Sequence, residues 1–213
     1  MSCSEGAEER FERPREPSRR LFFAIWPDHD QQTAFAHAAR KAVKASGGAA
    51  VPVVNIHLTL LFVGSTPERR TAELVAIARR VASSSVPETL PLELEFESLE
   101  HWRKPQVLCA VPTSPAGPLA FTIRLAQSLR TQATAAGFTP SSVSEPAGFG
   151  KAQEFRPHVT LVRKAVRAPG SASMTAVIWR FAEFVLVDSR TGGQASEYRI
   201  VESFPLSADN RPT

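Results

Sequence analysis

Two short stretches, one in each half of the chain, carry the residues best placed to do chemistry. Asn55-Ile56-His57-Leu58-Thr59-Leu60-Leu61 and Arg156-Pro157-His158-Val159-Thr160-Leu161-Val162 both read His-x-Thr-Leu inside apolar, strand-like runs. On a strand, side chains alternate, so His57 and Thr59 share one face while Leu58 and Leu60 take the other. His158 and Thr160 stand in the same way against Val159 and Leu161. Each strand thus offers an imidazole and a hydroxyl, and anchors itself by its opposite face. An imidazole titrates near pH 6.5, so one ring of such a pair can hold a proton while the other accepts one. Two hydroxyls can donate to developing negative oxygens. A lone His-x-Thr is an ordinary strand detail. Two copies in matching flanks argue for one site, provided the fold brings the two halves face to face.

Other chemistries fit the sequence less well. Neither histidine has an Asp, Glu, Cys or second His at ligand spacing, which weakens a metal reading. No nucleophile motif supports a serine hydrolase. A Gly-rich phosphate loop, a His-Glu-x-x-His and a Cys-x-x-Cys are all missing. His29 lies in a turn and His37 on an Ala-rich helix face, both read as solvent-exposed. His101-Trp102-Arg103-Lys104 sets an aromatic beside two cations, which suits base stacking and phosphate contact, or simply a turn between strands. Phe22 and Phe23 point to opposite faces of one strand, one to the core and the other free to stack on a base.

The elements that must position these residues follow from pattern. Arg20 to Trp26 reads as a strand stopped by Pro27. Asp28 or Asp30 caps a helix over 30–46 with Phe35, Ala39 and Val43 inward, ended by Gly47-Gly48. A strand runs from Val51 to Val63, and a helix starts at Thr66-Pro67-Glu68 and ends near Ala82. Leu90 to Glu97 alternates strictly, predicting a strand with one wet acidic face. Gln106 to Val111 is a buried strand, Pro118 to Ala136 an amphipathic helix, and 139–154 a loop. Strands follow at 155–163, 176–187 and 197–205. The order β-α-β-α-β-β-α-β-β-β, with the opening echoed in 106–163, predicts an α+β fold of two pseudo-symmetric lobes. Each lobe is a mainly antiparallel sheet with helices on its outer face, and the two enclose a central cleft. Residues 1–19 are expected to form a disordered extension, 20–206 the bilobal domain, and 207–213 a tail.

Composition bounds the setting. With 213 residues, 43% hydrophobic and 22% charged, the chain can bury a sizeable core and is not a disordered protein. No apolar run approaches the roughly 20 residues that span a bilayer, so no membrane association is expected. The first twenty residues mix both charge signs without an apolar core, unlike a secretory signal. Two lone cysteines argue against a disulfide framework and make a reducing cytoplasm the default compartment. The net charge is +4. The first twenty residues balance, 21–100 are acidic by two and 101–213 basic by six, so the second half is the better face for an anionic partner.

The paired motifs resemble those of the two-histidine phosphoesterase superfamily, specifically the bacterial and archaeal RNA 2′,3′-cyclic phosphodiesterases, also called 2′-5′ RNA ligases. The resemblance covers about residues 20–206. Arg20 to Ile25 is similar to the opening strand of that family, and Asn55 to Leu60 with Phe62-Val63-Gly64 to its first motif strand. Phe155 to Leu161 with Arg163 is similar to the second, Glu183 to Leu186 with Ser189 to the late strand, and Tyr198 to Leu206 to the last. Trp26-Pro27 and Cys109 depart from the family's usual residues. The resemblance implies that His57 donates a proton to the 3′ oxygen and that His158 activates water, leaving a 2′-phosphate. It also assigns Arg163 to the phosphate, although strand parity alone places Arg163 on the face opposite His158 unless it reaches round the strand end or follows a bulge. Thr59 and Thr160 would donate to the nonbridging oxygens. Neither metal nor other cofactor is implied. The implied partner is RNA ending in a 2′,3′-cyclic phosphate, tRNA-derived ends included, met by a monomer, with weak reverse ligation. A small-nucleotide cyclic phosphodiesterase and a noncatalytic RNA-end binding module stay open as alternatives.

Overall fold

The computed structural model describes residues 16–113, 116–140, 155–190 and 197–206. The expected extension up to residue 15, the loop over 141–154 and the tail from 207 lie outside them. Strand β1 (Ser18–Ile25) begins two residues before the expected boundary. Helix α1 (His29–Ser46) starts where the Asp28 carboxylate accepts from the Gln31 N–H at 2.8 Å. It stops where Gly47 turns left-handed at φ 69°, a conformation open to glycine. Phe35 and Ala39 are fully buried and Val43 packs against them, as its spacing predicts.

The expected strand over 51–63 divides. A two-residue strand, β2 (Ala49–Ala50), comes first; then Pro52 opens a 3₁₀ turn over Val53–Asn55, and β3 runs Leu58–Pro67. Asn55 N–H reaches the Pro52 carbonyl at 2.8 Å, the turn that keeps His57 just outside the strand. Thr66 and Pro67 remain strand because they pair with Arg19 and Ser18 of β1. Helix α2 (Thr71–Ser84) therefore starts later than its Pro signal predicts, after a 3₁₀ turn at Glu68–Arg70. Strand β4 (Leu92–Trp102) is longer than expected, and β5 (Val107–Pro112) and α3 (Ala116–Ala135) follow. Strand β6 (Val159–Arg163) begins only after His158.

The run 176–187 is two strands, β7 (Ser173–Phe181) and β8 (Glu183–Arg190), bent at Ala182. The phase of burial shows why. Val177, Trp179 and Phe181 point inward at odd positions, then Phe184 and Leu186 at even ones. Strand β9 (Glu197–Pro205) closes the described chain.

All described pairings are antiparallel, in one sheet ordered β7-β4-β5-β6-β3-β1-β8-β9, with β2 beside β6. The molecule is thus an α+β fold dominated by an antiparallel sheet. One face of the sheet and the three helices share a single core that includes Phe23, Phe35, Leu74, Leu129 and Trp179. The opposite face carries a small cluster of Phe22, Ala24, Val185 and Val187, with Trp26, Phe62 and Tyr198 against it. Phe23 is therefore the core member of the Phe22-Phe23 pair. At the centre of the sheet β3 and β6 meet through one registered pair, Leu58 with Val159.

Candidate active site

The Leu58–Val159 pair places the four motif side chains. Both residues point into the helix-side core at 0% exposure, so their neighbours point to the other face. Extending the antiparallel register by one residue sets His57 across from Thr160 and Thr59 across from His158. Imidazoles and hydroxyls thus alternate around a four-residue patch.

Bulges decide what joins it. Leu60 has no partner on β1 and Leu161 none on β5, and in each strand two consecutive residues, Leu60-Leu61 and Leu161-Val162, enter the core. Each bulge flips the later parity, which returns Phe62 and Arg163 to the face of the histidines. Arg163 therefore lines the site without reaching round the strand end. Its Nη2 donates to the Tyr198 hydroxyl at 3.0 Å. A third irregularity, between Phe96 and Ser98 on β4, turns Leu99 inward and leaves Glu100 and Trp102 on the site side.

The two histidines are held alike. Nδ1–H of His57 donates to the Asn55 carbonyl at 2.7 Å, and Nδ1–H of His158 to the Arg156 carbonyl at 2.8 Å. A carbonyl can only accept, so this hydrogen bond fixes the tautomer and leaves each Nε2 for chemistry. In the neutral ring, Nε2 of His57 accepts from the Thr59 hydroxyl at 3.1 Å.

Their surroundings differ. His57 lies under Trp26, ring centroids 5.0 Å apart and planes within 5°, with Phe22 at 5.1 Å and Tyr198 at 5.3 Å. Burial pushes its pKa down to about 4; the Asn55 hydrogen bond opposes this, and Arg163 and His158 add to it. His158 is also lowered, chiefly by burial, with the Arg156 carbonyl raising it, the Arg156 charge lowering it and Glu100 raising it. Trp102 lies 4.6 Å from its ring. Glu100 accepts from Trp102 Nε1 at 2.6 Å and from Arg156 Nη2 at 2.9 Å. One carboxylate therefore secures both the wall of His158 and the residue whose carbonyl holds it. Beneath Thr160, the thiol of buried Cys109 is pushed up to about 12, mainly by burial.

The two histidines border a cavity of about 320 Å³. His57, Thr59, His158, Thr160 and Arg163 all line it, together with Arg20, Phe22, Phe62, Ser189 and Tyr198. Its lining holds two guanidiniums and no carboxylate, an electrostatic setting for an anion. Among the described residues no three His, Cys, Asp or Glu side chains gather as a metal set. No described helix is long and apolar enough to cross a membrane. His29 and His37 lie on α1 and do not line the cavity, and His101 is tied through Nε2 to the Ala165 carbonyl at 2.9 Å.

The sequence reading missed Tyr198, Trp26 and the Glu100–Arg156 pair as parts of the site. Strand parity was legible for Trp26, two residues after Ala24 and four after Phe22. For Glu100 it was hidden by the bulge.

A cleft lined by two guanidiniums that presents two tautomer-locked imidazoles beside adjacent strands defines the class. A family model described as the 2′-5′ RNA ligase superfamily matches residues 26–192, and the chain belongs to that superfamily. It is 28% identical over 193 residues to the RNA 2′,3′-cyclic phosphodiesterase of Thermus thermophilus, covering 90% of this chain and 92% of that one. Its identity to the Escherichia coli protein of the same name is 28% over 191 residues, 89% of this chain and 97% of that one. The crystal structure of E. coli LigT complexed with 3′-AMP superposes with a TM-score of 0.73 at 25% identity, covering 90% and 99% of the two chains.

Proposed function

We propose that the protein hydrolyses the 2′,3′-cyclic phosphodiester ends of RNA to 2′-phosphomonoesters, without a metal or other cofactor. The observation that carries this reading is the pair of imidazoles, each with Nδ1–H given to a main-chain carbonyl and Nε2 left for a phosphate in an arginine-lined, carboxylate-free cavity. His158 Nε2 takes a proton from water as the water oxygen attacks phosphorus. The P–O3′ bond breaks, and His57 Nε2–H delivers its proton to the departing 3′ oxygen. Thr59, Thr160 and Arg163 donate to the nonbridging oxygens as charge builds there. Without a phosphate beside it His57, lowered to about 4, is neutral at pH 7. The negative charge of the bound phosphate opposes the burial and the Arg163 charge that lower the His57 pKa, so the acid is charged when there is something to protonate.

With the 5′-hydroxyl of a second RNA in place of water, the same attack on phosphorus breaks P–O3′ and leaves a 2′-5′ linkage, the weak ligation included in this proposal. We place this work on RNA ends, tRNA-derived ones included, done by a monomeric domain of residues 20–206 in the cytoplasm. The test is to incubate the protein, in EDTA, with an oligonucleotide ending in a 2′,3′-cyclic phosphate and with a cyclic mononucleotide. The expected product carries its phosphate on the 2′ oxygen. A 3′-phosphate product would reverse the regiochemistry, and loss of activity in EDTA would end the metal-free mechanism.

A further inference from the structure

The catalytic cavity does not close at Arg20 and Ser189. Both residues also line a second cavity of about 560 Å³, over the ends of β1, β3 and β8, bordered by Arg19, Arg190 and Ser65 and by the carboxylates of Glu68 and Asp188. We propose that this basin is a second phosphate site, in which Arg20 and Arg190 hold the RNA backbone on the 5′ side of the cyclic end. The inference rests on the phosphodiesterase reading above and names where its substrate leaves the reacting centre.

Position comes first. On β1, Arg20, Phe22, Ala24 and Trp26 share the site face, and Ala24 pairs with Thr59 while Arg20 pairs with Ser65. Four residues of strand separate those rungs, about 13 Å. The Arg20 guanidinium lies over the Phe62 ring, 4.8 Å from its centroid, between the reacting patch and the rim. That is beyond the reacting phosphate and suited to the next one along the chain.

Charge comes second. Arg19 is committed to Glu68. Arg190 is 65% exposed and only loosely opposed by buried Asp188, at 3.9 Å. Arg20 is exposed and has no ion pair among the described residues. Among the described residues the His158 end of the site offers no such path. Its cation, Arg156, is neutralised by Glu100 at 2.9 Å, and Arg103 and Lys104 line neither cavity. Among the described residues that line the two cavities, a backbone phosphate leaving the site therefore meets unneutralised cations past Arg20.

The experiment compares wild type with the full-length variants R20Q and R190Q, both at exposed positions. Substrates are a five-nucleotide RNA with a 2′,3′-cyclic end and a cyclic mononucleotide; binding of the 2′-phosphate-ended five-mer is followed by anisotropy across a salt series. Wild type should prefer the five-mer in kcat/KM, and each variant should reduce that preference about tenfold. The slope of log Kd on log salt should fall by about one unit per arginine removed, and R20K should retain it. Wild-type preference and slope in both variants would overturn the basin. If wild type binds the five-mer with this salt slope yet hydrolyses neither substrate, the basin stands and the activity reading fails.

Discussion

Leu58 and Val159 form the pair that joins β3 to β6, and each is the residue directly after a motif histidine. The junction of the two sheet halves and the histidine–threonine patch are therefore the same place. Leu58 is fully buried, so Leu58→Ala removes contacts on the core side while leaving every polar group of the site in place. The expected loss is about 2–5 kcal/mol of stability, seen in urea denaturation, with turnover falling further than for an equally destabilising change in α2. Equal losses of activity at matched stability would separate the junction from the chemistry.

Replacing His57 or His158 with Ala should each lower turnover on the order of 10²–10⁴-fold. The double variant should be far less than multiplicatively worse, because an acid and a base that act in one step fail together. A substrate with a better leaving group than ribose should rescue the His57 variant and not the His158 variant. Rescue of the His158 variant alone would interchange the two roles.

The indole of Trp26 keeps water from His57, so Trp26→Ala should raise the His57 pKa from about 4 toward 6.5. NMR titration of the imidazole reads this directly. The folded protein resists protonating His57 while the unfolded chain accepts the proton near pH 6.5. Stability should therefore be full above that pH and fall as pH drops from about 6.5 toward 4. His57→Gln should flatten that slope, and an unchanged slope would mean that another group causes it.

Glu100→Gln preserves shape but removes the charge that Arg156 and Trp102 Nε1 share. His158 then loses the support of Arg156, whose carbonyl accepts from its Nδ1–H, and of its Trp102 wall. The expected result is a fall in kcat of about tenfold with KM little changed, and a shifted His158 limb in the pH profile. A change in KM alone would place Glu100 in substrate binding instead.

Gly48 packs flat against β6, where an added Cβ would stand 2.5 Å from the Arg163 carbonyl. Gly48→Ala must push β6 or β2 aside, at about 1–3 kcal/mol of overpacking, and should move Arg163 with it. Thermal melts measure the first effect. The second should appear as weakened inhibition by inorganic phosphate.

The strand and helix periods made most elements legible, because alternation and 3.6-residue spacing are local properties. The two His-x-Thr copies were legible too, since the residue types and their shared face are set by neighbours two positions apart. Capping at Asp28 and the stop at Gly47 were readable for the same reason. What the sequence could not decide was phase. Each of the bulges at Leu60, Leu161 and Glu97 depends on how a strand registers with a partner far away in the chain, and a one-residue slip exchanges the two faces. Tertiary pairing alone therefore brought Arg163 onto the face of His158, set Glu100 behind it, and bent the run at Ala182 into two strands. It also decided that Trp26 and Tyr198, 172 residues apart, would enclose one imidazole, since the contact exists only once β1 and β8 have paired and β8 has carried β9 into place.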